Sequence, residues 1–311
     1  MTTSAVFGAR STADQVLAGI DLTGKHYLVT GGASGIGLQT ASALAANGGH
    51  VIVMARTMDD ARQACKQIGY NCSPVQCDLG NLDSVAAAAA EVHRLQVPLD
   101  AIVANAGIAH PESLSLLNGI EQQFFVNHIG HFALVNELTD LLRDGSGRVV
   151  VVSSRAAGAR VQNVGIMFDN LAGQRFYKPE LFYRQSKLAI AIFSRELSRR
   201  LQPRGVAVNV ADPGEVRGTA IARRSSFLRR LAQFIARPFR RSPAQGAATS
   251  ALLAASPNTT GVSGEYWRHC RAAAGNSLLE DRELAARLWS VSEDIIAKHR
   301  ASQTRLLAHA A

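Results

Sequence analysis

The chain has little cysteine, no long apolar run and no aromatic platform beside its charge. Its four cysteines, Cys65, Cys72, Cys77 and Cys270, lack the paired spacing of a zinc site and are too few for a disulfide scaffold, so they are expected to be reduced and structural. No metal centre is expected. No stretch approaches the roughly 18 apolar residues of a membrane span, and the leading MTTSAVFGAR lacks the apolar core of a secretory signal, which together point to a cytoplasmic protein. The net charge of +9 raises the question of a nucleic-acid partner, but no recognised module accompanies it and none is expected. The excess is local. Arg223, Arg224, Arg229, Arg230, Arg237, Arg240 and Arg241 crowd into one short stretch and leave the remainder nearly neutral.

In 311 residues with 47% hydrophobic content there is ample material for a buried core. Short β-rich apolar runs alternate with helical patterns from about residue 25: 26–30, 50–55, 71–77, 99–105, 148–153 and 206–211. The segments between them, such as 37–47, 84–96 and 122–142, are long enough for right-handed crossovers. The rhythm predicts an α/β fold: one doubly wound Rossmann domain over residues 25–311, with a mostly parallel sheet. Residues 1–24 form an N-terminal extension that drapes over it, anchored by Val16, Leu17 and Ile20. Residues 217–243 follow the sixth strand, at the edge where open α/β sheets bind ligands.

The first strand, HYLVT, runs into GGASGIG and then a helix. Gly31, Gly35 and Gly37, with Ser34 and Ile36 between them, occupy the strand-to-helix turn that a dinucleotide pyrophosphate needs; a plain tight turn is the other reading. At the end of the second strand an acid would favour a free adenosine 2′-hydroxyl. This chain has Ala55 and then Arg56, whose guanidinium suits a 2′-phosphate, so NADP(H) is expected, with NAD(H) the weaker alternative. Tyr183 and Lys187 stand four apart in a helical pattern, on one face, where an ammonium can stabilise a phenolate. Ser153 and Ser154 end the fifth strand on alternate faces. Asn127 is a polar amide in the apolar run FFVNHIGHF and needs bonding partners there, either in catalysis or as the bridge of a helix bulge. His128 and His131 have no accompanying carboxylate or cysteine cluster and are read as packing or surface residues.

TGGASGIG, the Asn105-Ala106-Gly107 that follows a strand, the serines of VVVSSRAAG and Tyr183-x-x-x-Lys187 together resemble the short-chain dehydrogenase/reductase family. FVNHIGHF, FYRQSKLAIAIFSRELSRRL and the leader STADQVLAGIDLTGK are similar to its branch containing retinol dehydrogenases and the WW-domain-containing oxidoreductase. The resemblance implies an oxidoreductase with a nicotinamide dinucleotide along the carboxyl edge of the sheet. It implies that Asp78, with Leu79 beside it, meets the adenine and that Asn105, Ala106 and Gly107 line the adenine ribose. Ser154 becomes the catalytic serine, Tyr183 the acid/base, Lys187 both its electrostatic partner and the ribose ligand, and Asn127 the holder of a relay water. Pro213, Gly214 and Val216 match the nicotinamide-side run, whereas Thr219 comes one residue late because Arg217 and Gly218 intervene.

Apolar residues interleave with arginines over 220–241. Two readings fit: a lid over an oily small-molecule substrate, and a helix in peripheral contact with an anionic membrane. A homodimer or homotetramer through the helices bearing Asn127 and Lys187 is also implied by the resemblance. The competing function is a dinucleotide-sensing scaffold without turnover.

Overall fold

A computed structural model of the chain describes residues 7–69, 71–157, 165–216 and 241–310. Nearly all of the basic lid stretch, Thr219 included, lies outside these residues.

The strands are β1 (His26–Thr30), β2 (His50–Ala55), β3 (Cys72–Gln76), β4 (Ala101–Ala104), β5 (Leu116–Leu117), β6 (Ile120–Glu121), β7 (Arg148–Val152), β8 (Ala207–Asp212), β9 (Tyr266–Arg268) and β10 (Arg271–Ala272). β5 and β6 pair as a small antiparallel hairpin. The rest form one sheet in the order β10-β9-β8-β7-β4-β1-β2-β3, parallel except for the β9–β10 pair. This is the doubly wound α/β sheet that the alternation predicts. The runs HVIVMA and RVVVV are continuous rather than alternating because both faces are covered by helices. The chain leaves β1 toward β2 and β3 on one side and returns to β4, β7 and β8 on the other. The carboxyl ends of β1 and β4 therefore flank the switch point where such sheets bind ligands.

The helices are α1 (Ala13–Leu17), α2 (Gly35–Ala46), α3 (Met58–Ile68), α4 (Leu82–Arg94), α5 (Gln122–Phe124), α6 (Gly130–Leu138), α7 (Pro179–Leu201), α8 (Pro243–Ala255) and α9 (Arg282–Ala310). The expected helix over 122–142 is not continuous. A π-helical turn, Phe125–Ile129, separates α5 from α6, and Asn127 lies inside it. Ser242 starts α8 with a capping box, its hydroxyl accepting from Gln245 N while the Gln245 side chain accepts from Ser242 N. Val16 and Leu17 of α1 are buried, and Ile20 packs against the same cluster.

α9 forms an outer layer over α7 and the π-turn. Trp289 sits 4.8 Å from the Phe132 ring and 5.7 Å from that of Phe193, centroid to centroid, with the Arg200 guanidinium 3.6 Å over its own ring. Each such aromatic contact adds roughly 0.5–1.5 kcal/mol beyond area burial.

The cysteine expectation needs correcting. Cys65, near the end of α3, and Cys72, at the start of β3, form a disulfide with Cα atoms 5.3 Å apart. A turn at Gly69, with φ +108°, folds the chain back and brings together two residues that sequence spacing alone leaves unrelated. Cys77 and Cys270 are free and buried.

His128 and His131 are fully buried, as packing residues. The His131 ring bridges the Thr30 hydroxyl, 2.9 Å from Nε2, and the Asn127 carbonyl, 3.2 Å from Nδ1. His128 Nε2 lies 2.8 Å from the Ser292 hydroxyl of α9. Burial pushes both imidazoles from 6.5 down to about 3, so the folded chain keeps them neutral while the unfolded chain protonates them. Folded values below unfolded ones give stability that is whole above pH 6.5 and drains as pH falls toward 3. Two such groups cost up to about 2.7 kcal/mol per pH unit inside that window. Urea titrations at stepped pH values measure the slope, which the double substitution His128→Gln/His131→Gln should flatten.

Candidate active site

A cleft of ≈ 890 Å³ opens at the switch point. It is lined by the ends of β1, β2, β4 and β7, the start of α2, and one face of α7. Of the expected residues it collects Gly31, Ser34, Gly35, Ile36, Arg56, Asp78, Leu79, Asn105, Ala106, Gly107, Ser154, Tyr183, Lys187, Pro213, Gly214 and Val216.

The glycine turn is built by close approach. Gly31 has φ +63°, and a Cβ there would meet Ala106 Cα at 3.0 Å. Gly37 does not line the cleft. A Cβ on it would lie 2.3 Å from the Gly31 carbonyl oxygen and 2.5 Å from Asn105 Nδ2, so this glycine packs the helix against its own turn. Asn105 Nδ2 donates to Thr30 O at 2.9 Å, and the backbone amides of Asn105 and Ala106 donate to the Thr30 hydroxyl at 2.9 and 3.0 Å, which knits β1 to β4. Ser34 stands at the N-cap of α2 without a side-chain capping bond, leaving the first amides of that helix facing the cleft. A glycine cradle under uncapped helix amides fits a pyrophosphate.

Around the rim Asp78 does double duty. Its Oδ1 accepts from Gly80 N at 2.9 Å, so it closes the turn and also faces the cleft. Arg56 is exposed at the end of β2. Asp60, which sequence reading passed over, joins the rim beside it, its carboxylate accepting from the Thr57 hydroxyl at 2.6 Å.

At the other end, Ser154 and Tyr183 meet. The Ser154 hydroxyl hydrogen-bonds the phenol, while the Ser153 hydroxyl turns away and donates to Lys187 O at 2.8 Å. The strand-end alternation thus puts Ser154 against the phenol. Asn127 does not line the cleft. It is buried in the π-turn, its Oδ1 accepting from Ile108 N at 2.8 Å and its Nδ2 donating to Ile108 O and to Ser186 Oγ, both at 2.9 Å. Lys187 Nζ donates to Val152 O at 2.9 Å. A Cβ on Gly107 would stand 3.1 Å from Asn127 Oδ1 and 3.3 Å from Lys187 Nζ, so these three residues converge.

The electrostatics differ from the expected phenolate. Burial pushes the Tyr183 hydroxyl above its ordinary range, the Ser154 hydrogen bond pulls it down, and the Asp212 carboxylate raises it further. Burial brings the Lys187 ammonium down to about 8. Lys187 spends its hydrogen bond on Val152 rather than on the phenol, so in the chain alone desolvation governs both groups. Sequence reading also missed His110, whose ring packs 5.1 Å from that of Tyr183, and Thr30; a threonine ending a strand before a glycine turn was the available signal.

The chain is similar to known proteins in sequence and fold. The family model "short chain dehydrogenase" matches residues 25–168. The chain is 38% identical to the human (Homo sapiens) WW domain-containing oxidoreductase over 97% of its own length and 75% of that protein. It is 35% identical to human Retinol dehydrogenase 14, covering 88% of this chain and 86% of the relative. A Beutenbergia cavernae protein described as an NAD(P)-dependent gluconate 5-dehydrogenase, solved with NADP at low occupancy, superposes with a TM-score of 0.62 at 26% identity, covering 80% of this chain and 96% of that one. With a glycine turn at the sheet's switch point, a serine against a helical tyrosine and these relatives, the chain belongs to the short-chain dehydrogenase/reductase family and is an oxidoreductase of that family.

Proposed function

We propose that this oxidoreductase interconverts an alcohol and a carbonyl on a lipophilic small molecule, with NADP(H) as its preferred dinucleotide. The observation that carries the reading is the Ser154–Tyr183 contact inside the same cleft as the glycine turn, with Lys187 on the same helix face one turn on. The dinucleotide, when bound, supplies or accepts the hydride. In reduction the Tyr183 hydroxyl gives its proton to the substrate oxygen, and in oxidation it takes one back. The Ser154 hydroxyl donates a second hydrogen bond to that oxygen. The Lys187 ammonium reaches the ribose hydroxyls, and Asn127 pins the Ile108 backbone to α7 so that the floor of the site keeps its shape. Asn105, Ala106 and Gly107 flank the adenine ribose, and Asp78 with Leu79 meets the adenine.

Arg56 supports the NADP(H) preference, since an exposed guanidinium at the end of β2 pairs with a 2′-phosphate. The lipophilic class rests on the apolar residues interleaved through 220–241 and on a relative named for retinol. The same interleaving supports peripheral membrane contact by that stretch. None of the helices in the described residues is long and apolar enough to cross a membrane.

A panel of retinal, decanal and a steroid ketone, read by loss of nicotinamide absorbance, tests the reading. NADPH should be consumed with at least one of them and NADH more slowly. Arg56→Glu should lower the NADPH-over-NADH preference about tenfold or more, the loss of roughly one charge-assisted contact. NADH used as well as NADPH by the unaltered enzyme would remove the preference; inactivity across the panel would favour a sensing role.

A further inference from the structure

Behind the cleft lies a buried carboxylate that the proposed chemistry leaves unused. Asp212 ends β8, is fully buried, and directly precedes the Pro213–Gly214 turn. Its Oδ1 accepts from Gly214 N at 2.8 Å, and Gly214 holds φ +72°. Its Oδ2 accepts from the Tyr266 hydroxyl of β9 at 2.9 Å. That hydroxyl also lies 3.3 Å from the carbonyl oxygen of Ser154. One phenol thus stands between the turn that closes one wall of the cleft and the residue that touches Tyr183.

We propose that Asp212 and Tyr266 are a positioning pair, coupling the Gly214 turn to the Ser154–Tyr183 contact so that both walls of the site keep one register. The proposal rests on the reading of Tyr183 as the acid/base. A carboxylate buried at this depth is costly unless its oxygens are bonded, and here both are, which makes the pair rigid. The charged and titratable groups facing Asp212 are Tyr183 from α7, Tyr266 and Arg268 from β9, and Arg241 ahead of α8. Arg241 in turn donates to Pro213 O at 3.3 Å and contacts the His269 ring, bracing the same turn from outside. The negative charge also acts on Tyr183, disfavouring its phenolate. The protonated tyrosine is the form that donates to a substrate oxygen.

Two substitutions separate the two effects. Asp212→Asn keeps the shape and removes the charge; Tyr266→Phe keeps the charge and removes the bridge. Tyrosinate absorbance against pH, with each protein referenced to its own Tyr183→Phe counterpart, reports Tyr183 without any substrate. Asp212→Asn should lower its midpoint, and Tyr266→Phe should leave it in place. NADPH binding, read by tryptophan fluorescence, should weaken about fivefold in Tyr266→Phe, the equivalent of one net hydrogen bond. An unmoved midpoint in Asp212→Asn, or unchanged NADPH affinity in Tyr266→Phe, overturns the proposal. Should Asp212→Asn not fold, Tyr266→Phe decides alone. Failure of the proposed function looks different: the unaltered chain would then show no turnover on the carbonyl panel while the tyrosinate midpoint still shifted.

Discussion

Tyr183→Phe is expected to cut turnover by about a hundred- to ten-thousand-fold, the usual worth of a positioned acid/base. Dinucleotide affinity should stay within about threefold, because the ring that packs on His110 is retained and only the hydroxyl is lost. Ser154→Ala should also lower turnover. The double variant should be little slower than Tyr183→Phe alone, since the two hydroxyls act on one oxygen and their losses do not add. Steady-state rates at saturating NADPH, with binding measured separately by fluorescence titration, check both parts. A Tyr183→Phe enzyme that keeps a tenth or more of its turnover would move the acid/base role elsewhere.

The second large effect belongs to a residue that does not line the cleft. Gly37→Ala places a methyl 2.3 Å from the Gly31 carbonyl oxygen and 2.5 Å from Asn105 Nδ2, and neither neighbour is the free end of a flexible side chain. The helix must move off its turn. A stability loss of about 3 kcal/mol or more is expected, at or above the upper end of ordinary overpacking, together with loss of dinucleotide binding. Gly35→Ala is the control. Gly35 has φ +56°, but a methyl on it would meet nothing within 4 Å, so only the left-handed backbone penalty of about 1–2 kcal/mol applies. Urea melts of the two variants give the order; Gly35→Ala proving the more damaging would contradict this account of the turn.

Much of this site was legible from spacing because its parts are local. Gly31 through Gly37 sit in one strand-to-helix turn, and Tyr183 and Lys187 share a helix face. The strands β1, β2, β3, β4, β7 and β8 followed from the alternation of apolar runs with helical patterns. β9 and β10 were missed, being three and two residues long with no alternation to read, although β9 carries Tyr266. The long-range contacts were also hidden. Asp60 reaches the rim because α3 begins beside β2, His110 packs on the Tyr183 ring, and Cys65 meets Cys72 around a glycine turn. A bulge at Asn127 was only the alternative to a catalytic asparagine in a continuous helix, since a π-turn has no compositional signature distinct from its neighbours. The phenol's direction of shift was missed for another reason: helical spacing announces the nearby lysine, but the desolvation around Tyr183 and the charge of Asp212 exist only once β8 and α7 are packed.

The outer helix α9 decides how much aromatic surface its neighbours present. With Trp289 seated on Phe132 and Phe193 and Ser292 meeting His128, it covers aromatic surface of α6, α7 and the π-turn. A chain cut before α9 would present the aromatic stripe of Phe132 and Phe193 to solvent.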